Sequence, residues 1–388
     1  MAYNILIADD AKMNRKLLIE LLKHKLDSVV FYEAINGLEV LEIVEKVDID
    51  LILLDLIMPE KDGYETLKTL KINRRTTDIP VIVNSAINDI DSIEEILEDG
   101  ATDYFTKPLS KKDMDIILPL KAKNALILYE HKKTIDKLNK AFNAELKNAN
   151  DFQNIMLPKS KNLKNIDLFI KFQPSLGIGG DLFDCVEVDG KVWFVIADVT
   201  GHGIAAGMAS SMVKVMFRSN LEKQGITPSG VLSAINKTVF SIFDFGASIN
   251  FVMFTAFIGC IEGNKFSYSN AGQPYPLLIK EKENTVSSLD INGLLIGLIE
   301  DATFDEKVEN LDIGDTIFVY TDGLFSSGKK SDFKNWTLVE YFTQVHKELA
   351  INDEKLFLNK AFNHFKLMHM DDYGDFTDDV AMMMLKLK

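Results

Sequence analysis

Acidic residues end several apolar stretches in the N-terminal third of the chain. Asp9 and Asp10 close the stretch beginning YNILIA, and Asp55 ends DLILLD. Ser85 and Lys107 follow two later stretches of the same kind. Carboxylates that converge cannot all ionise without a cation between them, and their hard oxygens suit Mg²⁺. An aspartate beside Mg²⁺ is suited to accept a phosphoryl group, with Lys107 neutralising the phosphoryl oxygens and Ser85 donating a hydrogen bond.

A second set of acids lies in similar settings further along the chain. Asp198 ends KVWFVIAD before the glycines of VTGHG, and Asp181 follows the glycines of GIGG. Asp322 lies in FVYTDGL, and Asp378 and Asp379 directly precede the apolar stretch VAMMMLKL. Such a set can hold two hard cations with one bridging carboxylate, while glycines let main-chain carbonyls approach the ions. A dinuclear centre of this kind would activate a water for in-line attack on a phosphate ester.

The elements that position the first set alternate along residues 1–120. Buried strands are predicted at YNILIAD, DLILLD and IPVIVNSA, and amphipathic helices at NRKLLIELLKHKL, LEVLEIVEKV and DSIEEILEDG. This alternation predicts an α/β domain with a doubly wound, five-stranded parallel sheet. Because such sheets place function at the carboxyl ends of their strands, the acids named above are expected to meet there.

Residues 121–157 have a different pattern and are predicted to form a helical coiled-coil linker. They contain no glycine or proline, and apolar residues recur in alternating steps of three and four, which favours a parallel two-stranded coil and a homodimer. His131 and Glu145 interrupt the stripe, and Pro119 lies upstream, where a kink is expected. The alternative is a helix that packs within its own chain. The stripe consists of Leu128, Ile135, Leu138, Phe142, Ala149, Phe152 and Met156.

Residues 158–388 are predicted to form an α+β domain, a β-sandwich flanked by helices. Strand-like stretches such as FVMFTAFIGCIEGNKFSYSNAG are mixed with helical segments at about 203–223, 228–242, 337–348 and 353–369. The methionines at 382–384 are interpreted as part of a buried strand.

Composition limits the classes of function. The chain has 388 residues and a net charge of −15 without a basic face, which argues against nucleic-acid binding. Its two cysteines, Cys185 and Cys260, are interpreted as free buried thiols in a reducing compartment. The N-terminus has no signal-peptide pattern and no apolar run approaches membrane-spanning length, so the expected location is the cytoplasm.

Residues 1–120 closely resemble a two-component response-regulator receiver domain, carried by the acids at 9, 10 and 55, VNSA and DYFTKPL. The resemblance implies a cognate histidine kinase as partner and Asp55 as the phosphoacceptor. It implies that Asp10, Asp55 and the Ile57 carbonyl hold Mg²⁺, with Asp9 assisting. Tyr104 matches the aromatic residue that turns inward when Ser85 moves toward the phosphate.

The remainder, from about residue 150, resembles the sigma-regulating bacterial branch of the PPM family of metal-dependent serine/threonine phosphatases. The matching stretches are QNIMLP, GGDLFD, ADVTGHG, SNAGQPYPLL, GLLIGL, YTDGL and TDDVAMMML. Two Mn²⁺ or Mg²⁺ ions are implied, with Asp198 bridging them. Asp181 and the Val199 carbonyl would hold one ion, and Asp322 and Asp378 the other. Gln273 stands where relatives commonly have histidine.

Three further residues have less defined roles beside that implied site. Asp379 is the weaker candidate for a ligand. Asp184 either supports the site from behind or faces solvent. His202 either acts as a general acid or positions a water, or it only shapes the loop.

These resemblances predict a phosphatase controlled by phosphorylation of its own receiver. Its substrate would be a phosphoserine or phosphothreonine protein, and in this branch that is usually an anti-sigma-factor antagonist, an expectation that rests on family analogy. One alternative is a catalytically inactive adaptor that binds a sigma factor or its regulator. Another is a constitutive phosphatase whose receiver serves only dimerisation.

Overall fold

The computed structural model describes residues 2–85, 90–107, 112–163, 165–175, 177–201, 203–242, 253–324, 339–341, 343, 354–369, 376 and 378–388. The chain divides into two compact units, Met1–Phe142 and Asn143–Lys388.

The N-terminal unit is the predicted five-stranded parallel sheet with helices between its strands. The strands are β1 (Tyr3–Ala8), β2 (Val29–Ala34), β3 (Leu51–Asp55), β4 (Val81–Ser85) and β5 (Asp103–Thr106). The helices are α1 (Lys12–Lys23), α2 (Gly37–Lys46), α3 (Gly63–Ile72) and α4 (Ile90–Glu98). A π-helical turn at Asp113–Ile117 leads into α5 (Leu118–Met156), which begins in this unit and ends in the second. The strand order is β2-β1-β3-β4-β5, so β1 and β3, which both lead into acids, are neighbours.

Every residue of β3 and β4 is buried, which explains why each strand begins with a continuous apolar run rather than an alternating pattern. Helices α2 and α3 begin at side-chain caps: the Asn36 amide oxygen accepts from the Glu39 N–H at 2.9 Å, and the Asp62 carboxylate accepts from the Glu65 N–H at 2.8 Å. These caps fix where the chain turns from strand edge into helix.

The burial of helix α5 changes along its length. Near its start, Leu118, Ala122 and Leu126 are buried in one core cluster of the N-terminal unit. Pro119 is the second residue of the helix, a position that tolerates its missing N–H. Further along, most of the stripe residues are exposed in the single chain, with Leu138 at 63% and Phe152 at 62%, while Ala149 and Met156 are partly buried. The start of this helix therefore packs within its own chain, as the alternative to a coiled coil expected. The apolar side chains in the middle of the helix are not covered by the chain itself.

The C-terminal unit is built from two antiparallel sheets with helices beside them. Its elements are β6 (Lys161–Asn162), β7 (Ile166–Gln173), β8 (Asp181–Val188), β9 (Lys191–Val199), α6 (Ile204–Asn220), α7 (Pro228–Ile242), β10 (Phe254–Glu262), β11 (Lys265–Ala271), β12 (Leu277–Lys280), β13 (Thr285–Ser288), β14 (Lys307–Asn310), β15 (Thr316–Tyr320), a 3-10 turn at Asp322–Leu324, α8 (Glu354–His369) and β16 (Val380–Leu387). One sheet has the order β14-β11-β10-β9-β8 and the other β13-β12-β15-β16-β7-β6.

Strand β16 shows how the layers stack. Met383 and Leu385 belong to the large core cluster that also contains residues of β8, β9 and α6. Met382 and Met384 belong to a separate cluster with Phe357 and other residues of α8. Because successive side chains of a strand point to opposite faces, this methionine-rich strand is buried on both sides, as predicted.

Three other expectations concern the cysteines, the helix predicted at 337–348 and membrane-spanning segments. Cys185 and Cys260 are both buried, as predicted. Most of the helix predicted at 337–348 lies outside the described residues. In the described ranges, every helix is either too short or too polar to span a membrane.

Candidate functional site

The carboxyl ends of β1 and β3 bring together the three acids predicted in the N-terminal unit. Carboxylate oxygens of Asp9, Asp10 and Asp55 lie within 4.8 Å of one another. Asp9 is fully buried and is held by the Asn14 amide at 3.0 Å and the Ala11 N–H at 2.9 Å. Three clustered carboxylates with hard oxygen donors fit a small divalent cation.

Lys107, just beyond β5, reaches into this acidic cluster. Its Nζ lies 2.9 Å from Asp9 Oδ2 and 2.7 Å from Asp55 Oδ2. Burial alone lowers the pKa of Lys107, but hydrogen bonds with both carboxylates hold it above its ordinary value. Burial raises the pKa of Asp55 despite the opposing effect of Lys107. The lysine ammonium therefore remains charged next to the candidate phosphoacceptor.

The other predicted residues of this unit surround the same edge. Ser85 ends β4 and is buried, and the Ile57 N–H donates to Asp55 Oδ1 at 3.4 Å. Tyr104, on β5, is half-buried. Lys121 of α5 donates to the Tyr104 carbonyl at 2.7 Å and lies 5.1 Å from the centre of its ring. The aromatic switch candidate thus contacts the first turns of the long helix.

In the C-terminal unit, the first two strands of one sheet place two of the predicted acids side by side. Asp181 begins β8 and pairs with Asp198 near the end of β9. Asp181 is 1% exposed, and its Oδ2 accepts from the Thr321 hydroxyl at 2.6 Å. Val199, buried at the end of β9, follows directly. Beyond it Gly201 and Gly203 have φ of 95° and 81°, so the turn into α6 uses backbone that favours glycine.

The second sheet supplies the remaining acids. Strand β15 leads into Asp322, and the neighbouring strand β16 follows Asp378 and Asp379. A side chain at Gly323 would place its Cβ 1.8 Å from the Asp379 carbonyl oxygen, so the two chain segments touch at this glycine. Asp322 is exposed.

The charges of the acids on one sheet raise the pKa of an acid on the other. Burial, and then the charges of Asp322, Asp378 and Asp379, raise the pKa of Asp198 to about 8. Burial and the charge of Asp198 likewise raise the pKa of Asp181 well above its usual range. Carboxylates that resist ionisation in this way are a donor set that divalent cations would satisfy, which fits a metal centre.

Asp379 and Asp184 are both held by hydrogen bonds or ion pairs with other groups of the protein. Asp379 accepts from the Ser175 N–H at 2.7 Å and from the Gly180 N–H at 2.6 Å, so it anchors the loop that leads to Asp181. Asp184 is fully buried rather than facing solvent. Arg218 and Lys214 of α6 contact it at 2.5 Å and 3.0 Å and, against the effect of burial, lower its pKa. His202 lies outside the described residues.

Gln153 is a residue of this site that the sequence did not identify. It lies near the end of α5, is 4% exposed, and donates to the Gly179 carbonyl at 2.7 Å. Its Oε1 accepts from the Gly179 N–H at 3.1 Å. Both bonds hold the loop two residues before Asp181. The only sequence signal is a polar residue in QNIMLP, where a helix meets the start of a domain.

The two units define a response-regulator receiver domain joined to a protein serine/threonine phosphatase domain of the PPM type. The chain belongs to the Stage II sporulation protein E (SpoIIE) family, whose model matches residues 188–388. The response regulator receiver domain model matches residues 5–118.

Three individual proteins illustrate these similarities. Phosphoserine phosphatase RsbU of Bacillus subtilis is 26% identical over 250 residues, which is 64% of this chain and 73% of RsbU. Sporulation initiation phosphotransferase F of the same organism is 39% identical over 129 residues, which is 31% of this chain and 98% of that protein. The SiaA-PP2C domain of Pseudomonas aeruginosa shares the fold, with a TM-score of 0.53 and 16% identity over 65% of this chain and 99% of that domain.

Proposed function

We propose that this protein is a response regulator whose output is the metal-dependent dephosphorylation of a phosphoserine or phosphothreonine protein. The observation that carries this proposal is the set of acids from two sheets in the C-terminal unit, where the pKa of Asp198 is raised to about 8. Such a set is costly to the fold unless cations bind it. In line with its resemblance to the sigma-regulating phosphatases, the proposed substrate is a phosphorylated anti-sigma-factor antagonist.

Two divalent ions, Mn²⁺ or Mg²⁺, would supply the positive charge that polarises the phosphate and lowers the pKa of the attacking water. Asp198 would bridge the two positions. Asp181 and the Val199 carbonyl would hold one ion, and Asp322 and Asp378 the other. Thr321 and Asp379 would orient this set, because Thr321 donates to Asp181 and Asp379 holds the preceding loop.

In the receiver, Asp55 would accept the phosphoryl group from a histidine kinase or a small donor. Asp10, Asp55 and the Ile57 carbonyl, with Asp9, would hold Mg²⁺. Lys107 already lies 2.7 Å from Asp55 Oδ2, so its charge is in position to balance the phosphoryl oxygens. Ser85 would then donate to the phosphoryl group, and Tyr104 would follow it inward.

A route for control begins at that tyrosine. Lys121 links Tyr104 and Asp103 to α5, donating to the Tyr104 carbonyl at 2.7 Å and to Asp103 Oδ1 at 2.6 Å. The exposed stripe of the same helix supports a homodimer through a parallel coiled coil, which covers these apolar side chains with a second copy. Phosphorylation of Asp55 would alter this coil and so the rate of the phosphatase.

The test is a Mn²⁺-dependent phosphatase assay on a phosphorylated antagonist protein, with and without acetyl phosphate. The wild-type rate should change several-fold with the donor, and Asp55→Asn should remove that change while keeping the basal rate. Asp198→Asn should abolish hydrolysis of the protein and of an aryl phosphate. A wild-type chain that hydrolyses neither substrate but binds a sigma factor or its regulator would favour the inactive adaptor instead.

A further inference from the structure

A polar cleft beside the phosphatase acids is not used by the chemistry described above. It has a volume of about 380 Å³ and is lined by Thr255, Asn270, Gln273, Tyr275, Asn292 and Asp322 among others. Asp322 is one of the proposed metal ligands, and Thr255 is the cross-strand partner of Asp198. The cleft therefore opens next to the site where a phosphate ester would be cleaved.

One wall of the cleft is a buried amide that is held in place on one side. Gln273 is 3% exposed, and its Oε1 accepts from the Thr255 hydroxyl. Its backbone is bracketed by Asn270, whose amide donates to the Gln273 carbonyl at 2.9 Å and whose Oδ1 accepts from the Gln273 N–H at 2.8 Å. These bonds fix the position and orientation of the amide.

The other end of this amide, the Nε2 group, has no partner in the part of the chain that the structure describes. Within the described residues, Gln273 Nε2 is buried without any hydrogen bond. A buried donor left unpaired costs free energy of folding, so proteins retain one mainly where a ligand or another group completes it. Here the donor belongs to a side chain that lines the cleft, next to the acids of the candidate metal centre.

The charge and size of the cleft indicate which kind of ligand would accept a hydrogen bond from Gln273 Nε2. Apart from Asp322, the lining residues are neutral, so no described side chain there provides positive charge for a phosphoryl group. The volume is far larger than a phosphoryl group needs, and Tyr275, which is 38% exposed, adds an apolar wall. Neutral amide donors and an aromatic face are suited to the uncharged backbone of an extended peptide.

We infer that this cleft binds the peptide segment adjoining the phosphorylated residue of the substrate, with Gln273 Nε2 donating to a backbone carbonyl of that segment. This inference rests on the proposed phosphatase function and assigns Gln273 as a specificity-determining residue. Gln273 acts on the peptide and not on the phosphoryl group, so its contribution is confined to peptide substrates.

The experiment compares two substrates of the full-length chain in Mn²⁺. One is p-nitrophenyl phosphate, and the other is a blocked phosphoserine heptapeptide with alanine at its other six positions, which presents only backbone and phosphate. Gln273→Met keeps the length of the side chain but removes the donor. It should lower kcat/KM for the peptide about five- to tenfold, the effect of one neutral hydrogen bond, and leave the aryl phosphate within about twofold.

Two further variants separate recognition from structure. Gln273→His returns an N–H at a similar reach and should restore much of the peptide rate. Ser269→Ala removes a different buried hydrogen bond of β11, from Ser269 Oγ to the Asp305 carbonyl at 2.6 Å, and should leave the ratio of the two substrates unchanged.

The inference is overturned if Gln273→Met lowers both substrates equally, because the amide would then serve the phosphoryl group or the fold. It is also overturned if neither substrate is affected. In both cases the wild-type chain still hydrolyses phosphate esters, so the proposed function stands. A wild-type chain without activity on either substrate rejects the proposed function and this inference together.

Discussion

Gln153→Ala is expected to weaken metal binding at the phosphatase centre while leaving the fold intact. The wild-type side chain makes two buried hydrogen bonds to the backbone of Gly179, at 2.7 Å and 3.1 Å. Removing it leaves a buried N–H and a buried carbonyl without partners, at a cost of about 1 to 1.5 kcal/mol each after local relaxation. The loop before Asp181 then loses about 2 to 3 kcal/mol of preference for its ordered form.

That free energy corresponds to a factor of about 30 to 150 in the population of the ordered loop. If Asp181 binds metal only from the ordered loop, the Mn²⁺ concentration for half-maximal activity should rise by about that factor. The rate at saturating Mn²⁺ should stay close to wild type, because bound metal restores the loop. The assay is hydrolysis of an aryl phosphate across a Mn²⁺ titration.

Asn154→Ala is the matched control, since Asn154 is the next residue of the same helix and is exposed. Circular dichroism and a thermal melt establish that both variants fold. An unchanged Mn²⁺ requirement in a folded Gln153→Ala chain would refute the reasoning. A rate that stays low at every Mn²⁺ concentration would also refute it, because the glutamine would then matter after metal binding.

Three further predictions concern the acids and the helix. Asp322→Asn should lower metal-dependent hydrolysis at least 100-fold with an unchanged thermal melt, and wild-type turnover at saturating metal would show that the ligand assignment is wrong. Because the pKa of Asp198 is raised to about 8 when folded, ionising it opposes folding. In chelator, Asp198→Asn should therefore gain stability relative to wild type as the pH rises from about 4 to about 8, measured by thermal melts, and a constant difference across that range would contradict the raised pKa. The double change Ile135→Lys with Leu138→Lys should give a monomer by light scattering whose phosphatase rate ignores acetyl phosphate, and a monomer still regulated by phosphorylation of Asp55 would rule out the coil as the route of control.

The sheet edges could be predicted from sequence because they follow general rules of topology. Continuous apolar stretches that end in Asp9 and Asp55 indicated buried parallel strands, and such strands share a functional edge. Asp181 and Asp198 were recognisable because each joins a strand to a glycine-containing turn. In these places local sequence alone determines where the carboxylate lies.

The residues that hold the acids were not predictable in the same way. Thr321 donates to Asp181 across 140 residues of chain, and Asp184 is paired with Arg218 on a helix 34 residues away. No local pattern marks such partners, because a threonine or an arginine in these stretches has many equivalent positions. Gln153 was hidden for a related reason: the heptad pattern around it accounts for the helix without requiring a buried polar residue.

The place of β16 in its sheet has a consequence for how the enzyme is made. This strand follows every other described strand, yet it lies between β15 and β7, and Met382 pairs with Lys171 at a separation of more than 200 residues. The ribosome must therefore deliver every other described strand before the one that follows Asp378 can be inserted. Until then, the sheet has a gap at its centre, two exposed edges and an incomplete set of acids. A nascent chain of this protein would lack phosphatase activity and be prone to aggregation until β16 closes the sheet.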